Sequence, residues 1–340
     1  MTWNANSMAD SESATSQSLP LVSVVVITYN SAKFVIETLE SVKSQTYKNI
    51  ELIISDDCST DDTVERCRLW LAENGSNFGN VRLIENSTNL GVPGNCNKGI
   101  YAAGGDWVKL LAGDDLLVSN SIQIFIDFLL CNSGVKYLVG SKYEMYGGRI
   151  SRIISPSHKY LCKTPAQQLK ILLSRHHAHM PAPALFLNRQ SIIELGGFDE
   201  RFRYMEDYPI ELKISNSGCK FVHVNAPVVV HRIHPQSLSG DGPSPKLLES
   251  FYQFRTELVM PLMRRQKMWS WHRHYELGDR LSKSVGYRRT LISYWIRLTD
   301  PIYWYEKIVY LFLGKKLTDV DYDVVEISCS VSDQLLKDRP

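Results

Sequence analysis

Between Leu21 and Leu130, short β-branched apolar runs alternate with longer stretches in which apolar residues recur every three or four positions. The runs Leu21 to Ile27, Glu51 to Ile54, Val81 to Ile84 and Trp107 to Leu111 are nearly continuous. That is the pattern of strands covered on both faces of a parallel sheet. Phe34, Val35, Leu39 and Val42 form a helical face ending near Gln45, with Ser31 placed to cap its start. Val64, Cys67, Trp70 and Leu71 form a second, opened by Ser59-x-x-Asp62 in capping-box spacing. Asn95 to Ala103 and Ile122 to Leu130 read as two more helices. Strands alternating with helices predict βαβ units and an α/β fold, a mostly parallel sheet flanked by helices.

Beyond Ser141 the pattern is less regular. Ala166 to Ser174 reads as a helix and Ala184 to Leu187 as a strand, followed by a helix and the turn Gly196-Gly197-Phe198-Asp199. Met205 to Pro209 opens a further helix, with Pro209 in its first turn. Phe221 to Val224 and Val228 to His231 read as two strands. Residues 1–20, rich in Ser, Ala and Asn, predict a disordered leader. The breaker cluster from Gly240 to Pro245 separates an α/β body, 21–240, from a helical extension, 245–340. The body divides at 130/131 into a regular and an irregular half.

Composition narrows the class. Of 340 residues, 44% are hydrophobic and 22% charged, which allows a large core and excludes a disordered or coiled-coil chain. No apolar run reaches the roughly 18–20 residues of a membrane span. Seven cysteines without a Cys-x-x-Cys pair, and no apolar signal segment, predict reduced, mostly buried thiols in a cytoplasmic protein. The net charge of +2 hides an asymmetry. Residues 264–316 hold twelve Lys/Arg, four Asp/Glu and four of the seven Trp. Such a stretch suits an anionic lipid surface rather than nucleic acid. The competing reading is a helical bundle packed on the body with solvated charges.

Ligands of open α/β sheets gather beyond the carboxyl ends of the strands. Three strands end in polar residues there: Thr28-Tyr29-Asn30, Asp56-Asp57 and Asp114-Asp115. Gly-x-Gly-x-x-Gly and the P-loop are both missing, which disfavours a dinucleotide oxidoreductase or a P-loop ATPase. An Asp-Asp pair at this position can hold Mn²⁺ or Mg²⁺, which bridges carboxylate to substrate phosphates. Elsewhere such a pair is an ordinary turn or helix start.

Together, Val24 to Asn30, Ser44-Gln45-Thr46, Asp56 to Asp61, Asn89-Leu90-Gly91 with Asn97, and Gly113-Asp114-Asp115 resemble the GT-A glycosyltransferases of family 2. Gly196 to Asp199, Glu206-Asp207 and Arg232-Ile233-His234 extend the resemblance, which runs from about Leu21 to Ser239. It implies a Rossmann-like GT-A fold with a nucleotide-binding half, 21–130, and an acceptor-binding half, 131–240. It also implies an inverting transferase that takes a nucleotide-sugar, most often a UDP-sugar, with Mn²⁺ or Mg²⁺. Thr28, Tyr29 and Asn30 then line the nucleoside pocket, with Tyr29 against uracil. Asp56 and Asp57 lie near uracil and ribose, unless one only caps its turn, and Asn97 joins the nucleotide-sugar site. Asp114 reaches the ribose or a metal-bound water and Asp115 coordinates the metal. The sequence reads Gly-Asp-Asp where the family often has Asp-x-Asp. His234 touches the metal or diphosphate, or is a structural histidine in His231-x-x-His234. Arg232 could pair with a phosphate. In the Glu206-Asp207 pair, Asp207 is the expected general base and Glu206 orients it or contacts the acceptor. His176, His177 and His179 read as a polar acceptor loop, with a zinc site as the weaker alternative.

The implied acceptor is a glycan or a polyprenyl-diphosphate-linked sugar at the inner face of the cytoplasmic membrane. That suits bacterial O-antigen or capsule assembly. A nucleotidyltransferase would carry a Gly-rich basic loop where Thr28-Tyr29-Asn30-Ser31 stands. A non-catalytic, membrane-bound scaffold with this fold is the remaining alternative.

Overall fold

The computed structural model describes residues 19–175, 180–235, 237 and 245–276, and the backbone of 322–326. β1 (Val22–Thr28), β2 (Ile50–Asp56), β3 (Val81–Glu85) and β4 (Trp107–Ala112) pair in parallel in the order β4-β1-β2-β3. The helices α1 (Val35–Lys43), α2 (Thr63–Asn74), α3 (Val92–Ala102) and α4 (Ser121–Cys131) follow these strands in turn. Val24, Val25, Val26, Leu52, Ile53 and Ile54 are fully buried, as strands covered on both faces require. Register aligns Thr28 with Asp56 and Ile27 with Ala112, so three polar strand ends meet along one edge.

The second half joins the same sheet through antiparallel and mixed pairings. β5 (Leu116–Leu117), β6 (Tyr137–Tyr146), β7 (Arg149–Pro156), β8 (Leu185–Asn188) and β9 (Val222–Ile233) continue the sheet on the β4 side. β9 runs parallel to β6 and antiparallel to β5, and β10 (Tyr322–Glu326) pairs with β7 at the edge. The helices α5 (His158–Leu161), α6 (Pro165–Arg175), α7 (Arg189–Glu194) and α8 (Asp207–Asn216) complete this half. The two strands expected over Phe221–Val224 and Val228–His231 are therefore one long strand, Val222–Ile233. Pro227, which breaks the apolar reading, is absorbed by register shifts around Ser141. Gly140 permits the close approach, since a Cβ there would lie 2.6 Å from Val228 Cγ2.

Two expected helix caps are built differently. The Ser31 carbonyl, not its hydroxyl, accepts the amides of Phe34 and Val35. Ser59 turns back to Asp56, and the amide and hydroxyl of Thr63 go to Asp61. None of the six described cysteines forms a disulfide, and only Cys67 and Cys96 are buried, so these thiols are not mostly interior.

The first part of the extension packs into the same core. α9 (Pro245–Phe254) leads through a π-helical turn, Arg255–Val259, into α10 (Met260–Arg265) and helical residues 269–276. The Phe254 ring lies 5.0 Å from Phe202 and 4.6 Å from Tyr208, and the Tyr275 hydroxyl donates to the Ser174 carbonyl at 2.5 Å. For these residues the packed-helix reading holds, although Trp269 is 61% exposed. The rest of the basic stretch lies outside the described residues. No helix among the described residues is long and apolar enough to cross a membrane.

At the opposite edge, the buried Glu51 carboxylate accepts from the Ser23 hydroxyl and the amides of Gly104 and Gly105 at 2.5–2.9 Å, and from Asn80 at 3.3 Å. Burial pushes its pKa up, but these four donors outweigh burial and hold it below the ordinary value. A depressed carboxyl stabilises the fold above its unfolded pKa, and that stability is lost as pH falls through the folded pKa. Glu51→Gln is expected to cost about 1–3 kcal/mol at pH 7. Urea unfolding should show the gap between the two proteins narrowing below the ordinary glutamate pKa.

Candidate active site

The nucleotide edge is built from turns that tie the strand ends together. The Thr28 hydroxyl donates to Asp56 at 2.7 Å, and Asp56 also accepts the amide and hydroxyl of Ser59. Asn30 sits in the left-handed region at φ 49°, where its amide donates to Ser59 and its side-chain oxygen accepts from the Thr60 amide. Asp57 accepts the amides of Leu90 and Gly91 at 2.7 and 2.9 Å. Both aspartates are buried, so their first duty is to shape this edge. Tyr29 stands 53% exposed beside them. Asn97 is engaged within the fold: its amide donates to the Phe198 carbonyl and to Glu200, and its oxygen accepts from the Phe198 amide. That clamp holds the turn before Glu206 and leaves little for a ligand.

The two aspartates after β4 have different surroundings. Asp115 is buried and accepts the Arg232 amide at 2.9 Å, with His231 Nδ1 at 3.1 Å. Asp114, its side chain 27% exposed, meets His234 Nε2 at 3.0 Å. β9 thus delivers both histidines of His-x-x-His to the Asp-Asp pair. Arg232 itself turns away, pairing with Glu37 at 2.8 Å and lying over the Phe34 ring. Behind the pair, Lys109 is fully buried, and its ammonium donates to the Leu110 and Pro183 carbonyls. Burial lowers its pKa to about 7, against the opposing pull of Asp115.

Burial, and then the neighbouring Asp115 charge, push the Asp114 carboxyl up, with His234 opposing. A divalent cation would relieve that repulsion. Carboxylate oxygens with an imidazole suit Mn²⁺ or Mg²⁺, which take one or two carboxylates and complete their shell with phosphate and water. The donor set therefore fits, although among the described residues no three side chains form a ready-made metal cage.

Across the site, Glu206 precedes α8 and Asp207 begins it, with Asp207 accepting the Tyr208 amide at 2.7 Å. The loop before them is fastened to the nucleotide edge by the Asn97 clamp and by Arg203, which donates to the carbonyl and side chain of Asn89. Gly91 is required there, because at φ 81° a Cβ would fall 2.5 Å from the Arg203 carbonyl oxygen. Burial, and then the adjacent Asp207, push Glu206 up to about 8. Burial also raises Asp207, moderated by the Tyr208 amide and by the charge of Lys142 on β6. Lys142 stood out in no sequence pattern, since a lysine inside an irregular strand has no signature. His176, His177 and His179 lie outside the described residues.

A mixed sheet with carboxylates at its parallel strand ends and an acidic pair across from them defines a GT-A fold. A sequence profile described as Glycosyl transferase family 2 matches residues 23–195, and the chain belongs to that family. Chondroitin synthase of Escherichia coli is 26% identical over 228 residues, 67% of this chain but 31% of that protein. The E. coli UDP-Glc:alpha-D-GlcNAc-diphosphoundecaprenol beta-1,3-glucosyltransferase WfaP is 28% identical over 66% of this chain and 81% of its own length. S. aureus TarS 1–349, solved with UDP-GlcNAc, superposes with a TM-score of 0.52 over 87% of this chain and 92% of that one, at 15% identity. This last likeness is one of fold.

Proposed function

We propose that the chain moves a sugar from a UDP-sugar to a hydroxyl of a glycan or lipid-linked sugar, with inversion. The carrying observation is that β9 brings His234 to Asp114 beyond the parallel strands, while the loop before Glu206-Asp207 is tied to the nucleotide edge by Arg203 and Asn97. A relative supports a UDP donor by name, WfaP with UDP-Glc. WfaP's diphosphoundecaprenol acceptor favours a lipid-linked acceptor here, and with it O-antigen or capsule assembly at the inner membrane face.

In this reading Thr28, Tyr29, Asp56 and Asp57 form the nucleoside pocket. Asp114 and His234 would hold Mn²⁺ or Mg²⁺, with Asp115 fixing β9 behind them. When bound, the cation neutralises charge on the diphosphate leaving group. Asp207 accepts the proton of the acceptor hydroxyl as its oxygen bonds to the anomeric carbon and the bond to the diphosphate breaks. Glu206, pushed up to about 8 by burial and by Asp207, adds little second negative charge near neutral pH. Calorimetry of UDP with Mn²⁺ or with chelator tests this, alongside UDP release from UDP-glucose, UDP-galactose and their N-acetyl forms. Binding that needs the cation, with turnover of one donor, is expected. UDP binding in neither condition would overturn the donor assignment.

A further inference from the structure

Two sheltered lysines lie near the strand ends and differ in what they hold. Lys109 spends its ammonium on two carbonyls. Lys142, its side chain 14% exposed, meets Glu144 Oε1 at 3.2 Å. Glu144 is held more closely by Arg152, whose Nε donates to Oε2 at 2.6 Å, while Arg152 Nη2 donates to the Tyr146 hydroxyl. Two cations thus share one carboxylate, with Glu326 of β10 in backbone register beside Arg152. A charge taken out of water is costly unless paired and hydrogen-bonded. An ammonium with one long contact and further N–H donors is suited to receive an anion.

Position says whose anion this is. Lys142 and Glu144 lie in register beside Val229 and His231 of β9, and His231 holds Asp115. Lys142 is also near enough to Asp207 for its charge to act there. Arg152 continues the line onto β7, away from the nucleotide strands β1 to β3. The donor diphosphate belongs at Asp114 and His234, whereas Lys142 stands on β6 in register with β9, and its charge bears on Asp207.

We propose that Lys142 and Arg152, braced by Glu144, form a subsite for a phosphate carried by the acceptor close to its reacting hydroxyl. This rests on the transferase reading above. A sugar linked through a diphosphate to a lipid has that chemistry.

The test uses the full chain, an alkyl sugar diphosphate of short chain length, and the matching neutral alkyl glycoside. Calorimetry is expected to show the diphosphate binding about 10- to 100-fold more tightly than the glycoside, the range of a charge-assisted contact. Lys142→Met should remove most of that preference and leave UDP binding unchanged, and Lys142→Arg should retain it. In turnover, at a pH high enough to ionise Asp207 in both proteins, Lys142→Met should raise KM for the diphosphate acceptor by more than it lowers kcat. No preference in the wild type would overturn the proposal. So would a Lys142→Met effect confined to UDP-glucuronate against UDP-glucose, which assigns the anion to the donor. A change confined to the pH profile of kcat would make Lys142 only a tuner of Asp207. Failure of the transferase reading would appear separately, as absent UDP binding in every variant.

Discussion

Asp207→Asn is expected to lower kcat by about 10²–10⁴, the range of a lost general base, with UDP binding intact. Glu206→Gln should leave kcat nearly unchanged at pH 7. The asymmetry follows from adjacent half-buried carboxyls, which cannot both ionise cheaply. Glu206, pushed up to about 8, keeps its proton at pH 7, so a glutamine amide is a near-isostere of its working form. Asp207 is the member left to ionise. Burial raises its pKa, so activity should rise with pH through a value above the ordinary aspartate range and be lost as pH falls below it. Initial rates of UDP release against pH for the three proteins decide this. Equal losses in both variants would make the pair, rather than Asp207, the base.

Asp114→Asn should weaken UDP binding in Mn²⁺ by at least about tenfold, since even groups that only orient metal ligands are worth about 10–100-fold. Its melting temperature should hold, because Asp114 has His234 as its contact and is partly open. Asp115→Asn should lose binding and also melt lower, because buried Asp115 accepts the Arg232 amide and meets His231. Calorimetry with Mn²⁺ or chelator, beside thermal melts, separates the two. If Asp115→Asn alone abolished the metal response, the more buried aspartate would be the ligand.

The parallel half was legible because its signal is local. Four apolar runs with helices between them predict a parallel sheet, and in such a sheet the strand-end aspartates gather on one edge whatever the strand order. Their partners were not legible. Nothing local tells that Asp57 will hold the amides of Leu90 and Gly91, or that Asn97 will clamp Phe198 across the fold. β6 and β9 were obscured by the residues that give the site its interest. Lys142, Glu144 and His231 put polar side chains where a strand should read apolar, and Pro227 divides β9. Ser31 and Ser59 have the chemistry of helix caps, but tertiary contacts at the strand ends recruit Ser59 first. The aromatic, basic extension gave no sign that Phe254 and Tyr275 would anchor it to α6 and α8, because its pattern suits a lipid surface and a protein surface equally.

β10 covers the outer edge of the sheet: Tyr322 to Glu326 run antiparallel to Pro156 to Arg152 of β7. Cutting the chain before Tyr322 would uncover the β7 edge, a row of unpaired backbone groups and a template for pairing with another molecule.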